Sequence, residues 1–78
     1  MKVVVYVQPD CPGCYATKKY LDKYGVEYST TDVSEDSASY AFVASLGYKQ
    51  VPVVVAGDSH WSGFQPDRIA ALKAPSGV

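Results

Sequence analysis

Cys11 and Cys14 are the two cysteines of this 78-residue chain, and they stand three positions apart around Pro12-Gly13. Two thiols at that spacing can close a small disulfide ring and open it again. They can therefore pass two electrons to or from a partner. A strand-like run, Val3-Val4-Val5-Tyr6-Val7, precedes the pair, and a helical pattern follows it. A helix start carries unpaired N–H groups and the positive end of the dipole, which favour a thiolate over a thiol. Cys11 lies ahead of the helix, so its sulfur is expected to be exposed there and to act as the attacking thiolate. Cys14 lies about one turn inside, on the inward face. It is expected to be more buried, less acidic and suited to resolving a mixed disulfide. Metal binding is the competing use. Zinc takes about four ligands, and beyond the two thiols the chain offers a single histidine, His60. A zinc or bridging iron–sulfur module would need a second copy. A purely structural crosslink is weaker still, because so short a loop restrains little of the unfolded chain.

The elements around the pair must position it. Val3 to Val7 is nearly all β-branched, which suits a central strand covered on both faces. Gln8-Pro9-Asp10 breaks the run, and Pro12 fits a first helical position. Cys14, Thr17, Leu21 and Tyr24 recur at helical spacing and form one inward face, with Gly25 as the stop. Val26 to Thr31 reads as a second strand, completing a βαβ unit. Ser34 is placed to cap a second helix, with Glu35 and Asp36 in its first turn. Tyr40, Val43 and Leu46 are its expected buried stripe, and Gly47 ends it. Pro52 to Ala56 is a third strand. After a Gly57-Asp58 turn, His60 to Gly63 is a fourth. Pro66 opens a last helix through Lys73, with Phe64 and Ile69 spaced as a hydrophobic staple. Ala74 to Val78 reads as a frayed tail. The expectation is one α/β domain over residues 1–78, ordered β-α-β-α-β-β-α.

Composition sets the outer bounds. Hydrophobic residues make up 47% and charged residues 19%, as in a globular chain. The net charge is −1 and no basic stretch exceeds two residues, so nucleic acid is not an expected partner. The apolar run after Met1-Lys2 ends too early for a signal peptide, and no stretch approaches the length of a membrane helix. A reducing cytoplasm is the expected compartment, where a cysteine pair is more often catalytic than structural. A monomer is expected.

Three segments together resemble NrdH-type redoxins, in the glutaredoxin branch of the thioredoxin fold. They are Cys11-Pro12-Gly13-Cys14-Tyr15-Ala16-Thr17-Lys18, Lys49-Gln50-Val51-Pro52-Val53-Val54, and Gly57 through Asp67 with its Trp61-Ser62-Gly63-Phe64-Gln65-Pro66-Asp67 run. The resemblance covers roughly residues 2 to 73. It implies a thioredoxin/glutaredoxin-like fold, with a four-stranded mixed sheet flanked by three helices. It further implies a dithiol carrier for class Ib ribonucleotide reductase, recharged by thioredoxin reductase. The FAD and NADPH would belong to that reductase, and the redoxin would bind no cofactor. The Pro12-Gly13 dipeptide departs from the larger polar residue this family more often carries before the second cysteine.

The same resemblance implies a cis Val51-Pro52 peptide beside the dithiol. Its use is to offer the backbone N–H and C=O of Val51 as a short edge for a partner peptide. It also implies a segment around Ser62 and Gly63 that is tied by hydrogen bonds. Trp61 and Phe64 would then supply apolar surface near Cys11, against the plainer reading of both as core. Tyr15 is placed to shield the dithiol and Lys18 to add positive potential, or simply to be solvated. Pro12, Gly13, Val51, Pro52, Trp61, Ser62, Gly63 and Phe64 are thus the expected partner-binding set. A glutathione-dependent dithiol glutaredoxin is the alternative. Against it, Gln8 stands where a glutaredoxin often has lysine. Phe64-Gln65 replaces the polar pair that holds glutathione, and charged contacts of that kind are the strong ones. Lys49 and Gln50 could still hold one carboxylate.

Overall fold

Val3–Val7 forms β1, a central strand of the sheet. The computed structural model describes residues 2–72. After β1 come α1 (Pro12–Lys23), β2 (Ser29–Asp32), α2 (Ser37–Ser45), β3 (Val53–Ala56), β4 (Ser59–Ser62) and α3 (Pro66–Ala71). The sheet order is β2-β1-β3-β4. β1 runs parallel to β2, with Val5 opposite Thr30, and antiparallel to β3, with Val5 opposite Val54. Strand alternation divides the core between the two faces. Val3, Val5, Val54, Ala56 and Trp61 pack with Leu21 of α1 and Ile69 of α3. On the other face Val53 packs with Val33, in the turn after β2, and with Val43 of α2.

The end of α1 explains why β2 starts late. Gly25 adopts φ +70°, its N–H donates to the Asp22 carbonyl, and the Val26 N–H donates to that of Leu21. This paired closure satisfies the last carbonyls of the helix. It also consumes the Val26 N–H, so pairing with β1 begins only near Ser29, not at Val26 as the alternation suggests. Val26 and Tyr28 still pack on the core from this lead-in.

The start of α2 also differs. Asp36, not Ser34, is the N-cap; its carboxylate accepts from the Ala38 N–H at 3.1 Å and the Ser39 hydroxyl at 2.7 Å. Ser34 is engaged elsewhere, donating its N–H and hydroxyl to Asp32 Oδ1. Glu35 and Asp36 therefore precede the helix. Of the expected stripe only Val43 is buried, while Tyr40 is exposed and Leu46 is half-buried. Phe42 meets Tyr6 at 5.6 Å between ring centroids.

β3 and β4 are joined by the two-residue turn Gly57-Asp58, with Gly57 at φ +61°. α3 begins at Pro66 as expected. It ends at Ala71 with Leu72 as its C-cap, short of the Lys73 end expected from the sequence. Lys73 and the tail at 74–78 lie outside the described residues.

Candidate active site

β1 delivers the chain to the site, and a Pro9-Asp10 turn redirects it. Asp10 takes φ +59°, a left-handed conformation that aspartate tolerates better than most residues. Cys11 is then the N-cap of α1 and Pro12 its first residue. Cys11 Sγ accepts the backbone N–H of Cys14 at 3.0 Å, in the place a serine or aspartate oxygen usually fills. The helix thus directs an orphan donor at this sulfur. Cys11 and Cys14 are joined as a disulfide, with Cα atoms 5.2 Å apart. Cys11 is half-buried, whereas Cys14 is 3% exposed. Reagents therefore meet the two sulfurs unequally.

The proline loop closes one side. The Val51–Pro52 peptide is cis. A Cβ on Gly13 would lie 3.2 Å from Pro52 Cδ. The bare Gly13 therefore admits the Pro52 ring against the first turn of α1. The loop is anchored from β4. The Gly63 N–H donates to the Pro52 carbonyl at 2.7 Å, and the Ser62 hydroxyl donates to the Gln50 carbonyl at 3.1 Å. Ser62 and Gly63 thus act as scaffold for the loop. A cleft of about 380 Å³ opens beside Cys11 and Val51 and reaches Tyr40 on α2. Its lining carries one cation, Lys49, and one carboxylate, Asp10.

Trp61 departs from the surface role expected of it. It is 4% exposed and belongs to the core beside Val54, its partner across β3 and β4. The strand period points it inward, and the Arg68 guanidinium lies 5.7 Å from the ring centroid. An indole so placed is not available to a partner. Phe64 is 38% exposed, and its ring meets Tyr20 edge-on at 5.0 Å. Tyr20 is the aromatic partner the structure gives it. Tyr15, beside Cys14 in the chain, is 64% exposed, with the Lys19 ammonium 5.8 Å from its ring.

Two features escaped the sequence reading. Gln65 donates to the Ser62 carbonyl at 2.9 Å and accepts from Arg68 Nε at 3.0 Å, bracing the turn between β4 and α3. The three-residue spacing of Gln65 and Arg68 at a helix start is a signal that could have found it. Tyr48 Oη lies 2.7 Å from His60 Nδ1. Tyr48 precedes β3 and His60 lies on β4, so their meeting is a tertiary contact for which the sequence held no signal. Among the described residues, no three His, Cys, Asp or Glu side chains gather as a metal site, and no helix is long and apolar enough to cross a membrane.

A helix-capping disulfide set against a cis-proline loop, on a four-stranded mixed sheet, defines a thioredoxin-fold disulfide oxidoreductase. The glutaredoxin family profile matches residues 3–61. The glutaredoxin-like protein NrdH of Escherichia coli (strain K12) is 36% identical over 92% of this chain and 89% of its own length. Its solved structure, described for a thioredoxin-like activity profile, superposes with a TM-score of 0.89 over 92% of this chain and 95% of that one. The gene 56 protein of Mycobacterium phage D29 is 32% identical over 90% of this chain and 80% of its own. A buckwheat glutaredoxin solved with glutathione is more distant, with a TM-score of 0.71 and 25% identity over 88% of this chain and 72% of that one. The chain belongs to the glutaredoxin family, and within it to the glutaredoxin-like NrdH redoxins.

Proposed function

We propose that this redoxin donates electrons to class Ib ribonucleotide reductase and is recharged by thioredoxin reductase. It acts as a monomer in the cytoplasm. It binds no cofactor of its own, and its electrons come from NADPH through the FAD of the reductase. Cys11 attacks the partner disulfide, forming a mixed disulfide and expelling one partner thiolate. Cys14 then attacks Cys11 Sγ and releases the second partner sulfur, leaving Cys11–Cys14 oxidised and the partner reduced. The unequal exposure of the two sulfurs supports this order, as does the N–H directed at Cys11. Pro12, Gly13, Val51 and Pro52 form the edge on which the partner peptide lies. Phe64 contributes the apolar margin, with Tyr20 beside it.

The observation that carries the choice of reductant is the segment after Gly63. Phe64 presents a hydrocarbon ring there, and the Gln65 amide is consumed within the turn. Neither offers the charged contacts that a dicarboxylate peptide such as glutathione rewards. A coupled assay following NADPH oxidation tests this. Fast turnover is expected with thioredoxin reductase, and slow turnover with glutathione and glutathione reductase. Fast turnover only in the second system sinks the reading. The presence of Lys49 and Gln50 in the cleft favours the second reading, a glutathione-dependent dithiol glutaredoxin.

A further inference from the structure

Thr17 is fully buried on the inward face of α1, and its hydroxyl has no hydrogen-bond partner. A helical threonine commonly turns its hydroxyl onto a carbonyl one turn back, and this one does not. A buried hydroxyl without a partner is destabilising, so its retention needs a reason. Cys14 stands three positions earlier on the same face and is also buried. Residues at this spacing are neighbours on a helix. The Cα–Cβ bonds of a helix tilt toward its N-terminus, so the Thr17 side chain leans back over the turn that carries Cys14. In the disulfide, the Cys14 sulfur is spent on its bond to Cys11. Once reduced, that sulfur is a thiol or a thiolate, and a thiolate accepts a charge-assisted hydrogen bond.

We propose that Thr17 is a positioning residue whose hydroxyl lacks a partner in the disulfide form and donates to the Cys14 sulfur once the disulfide opens. It thereby favours the dithiol at equilibrium and readies Cys14 for the resolving step. In that step the Cys14 thiol loses its proton to solvent, and its sulfur attacks Cys11 Sγ of the mixed disulfide. The bond from Cys11 to the partner sulfur breaks as the Cys11–Cys14 bond forms. The partner sulfur leaves with the electron pair and takes a proton from solvent. Thr17 transfers no proton. This role rests on the assignment of Cys14 as the resolving thiol.

Thr17→Val removes the hydroxyl at nearly constant shape, and Thr17→Ser keeps it. In equilibrium with dithiothreitol, Thr17→Val is expected to be about tenfold more oxidised than wild type, a potential about 30 mV lower for two electrons. Thr17→Ser should stay near wild type, and Thr17→Ala should shift in the same direction as Thr17→Val. Reaction of the reduced protein with 5,5′-dithiobis(2-nitrobenzoate) separates the two thiol steps. The first thionitrobenzoate released reports attack, and the second reports resolution. Thr17→Val should leave the first rate unchanged and slow the second about tenfold. An unchanged equilibrium in Thr17→Val and Thr17→Ala overturns the role of Thr17. A Cys14→Ser variant that still releases a second equivalent overturns the assignment of Cys14 itself.

Discussion

Cys11 and Cys14 share a residue type and a chemistry, yet their surroundings differ in access and in hydrogen bonding. Cys11 caps the helix and receives an N–H, whereas Cys14 is enclosed by the core side of α1. Cys14→Ser is therefore expected to trap a mixed disulfide with the partner through Cys11, and Cys11→Ser to trap none. Non-reducing electrophoresis reads the adduct. Alkylation of the reduced protein at low pH, mapped by mass spectrometry, should label Cys11 first; Cys14 labelled first would reverse the roles. The difference in exposure was legible in the sequence because helix position alone separates an N-cap from a residue one turn inside. The orphan hydroxyl of Thr17 was not legible, because pattern places a residue on a face but says nothing of what its polar atom finds there.

At the scale of elements, the two ends of the helices carry testable weight. The Ser39 hydroxyl, followed by the Ser39 and Ala38 N–H groups, holds the Asp36 carboxyl below its ordinary 3.8. A depressed folded value stabilises the fold above the unfolded value, and the contribution is lost as pH falls through the folded one. Asp36→Asn is therefore expected to lower Tm at neutral pH, with the gap closing well below pH 3.8. Thermal melts at both pH values check it; a constant gap would assign the loss to capping geometry alone. The connection from β4 to α3 carries a different expectation. Phe64→Ala should lower kcat/KM with thioredoxin reductase several-fold and leave reduction by dithiothreitol unchanged. Equal losses in both would make Phe64 a folding residue. The sequence placed every strand and helix here, but ran α3 past its end at Ala71 and missed where β2 and α2 begin. Both missed starts came from competition for single groups: the Val26 N–H went to Leu21, and the Ser34 hydroxyl to Asp32.

The whole molecule is held by a thin core on each side of one sheet, so single large side chains matter to it. A domain of 78 residues is stable by about 4–12 kcal/mol. Removing a buried large aromatic costs about 3–5 kcal/mol. Trp61→Ala is thus expected to lose much of the fold's stability, seen as a lower urea midpoint, and to lose partner turnover and dithiothreitol reduction together. Selective loss of partner turnover, with an unchanged midpoint, would return Trp61 to the contact surface. The surface role expected of this residue rested on the family resemblance, against the plainer reading of it as core. The structure instead shows that β4 turns it inward opposite Val54 and lets Arg68 cover its ring.

Cys-Pro-Gly-Cys at a strand-to-helix junction, the order of elements and the Trp61-to-Asp67 run were determined by the sequence alone. Each rests on local spacing, hydrophobic period or residue type, which the chain carries wherever it folds. The tertiary structure decided which groups meet across the chain. It set Pro52 against Gly13, tied the proline loop to Ser62 and Gly63, and buried Trp61. It also left Phe64 beside Tyr20 at the surface and the Thr17 hydroxyl without a partner. These outcomes depend on how the strands pair and which face each side chain takes. That is a competition among distant groups, which no local pattern encodes.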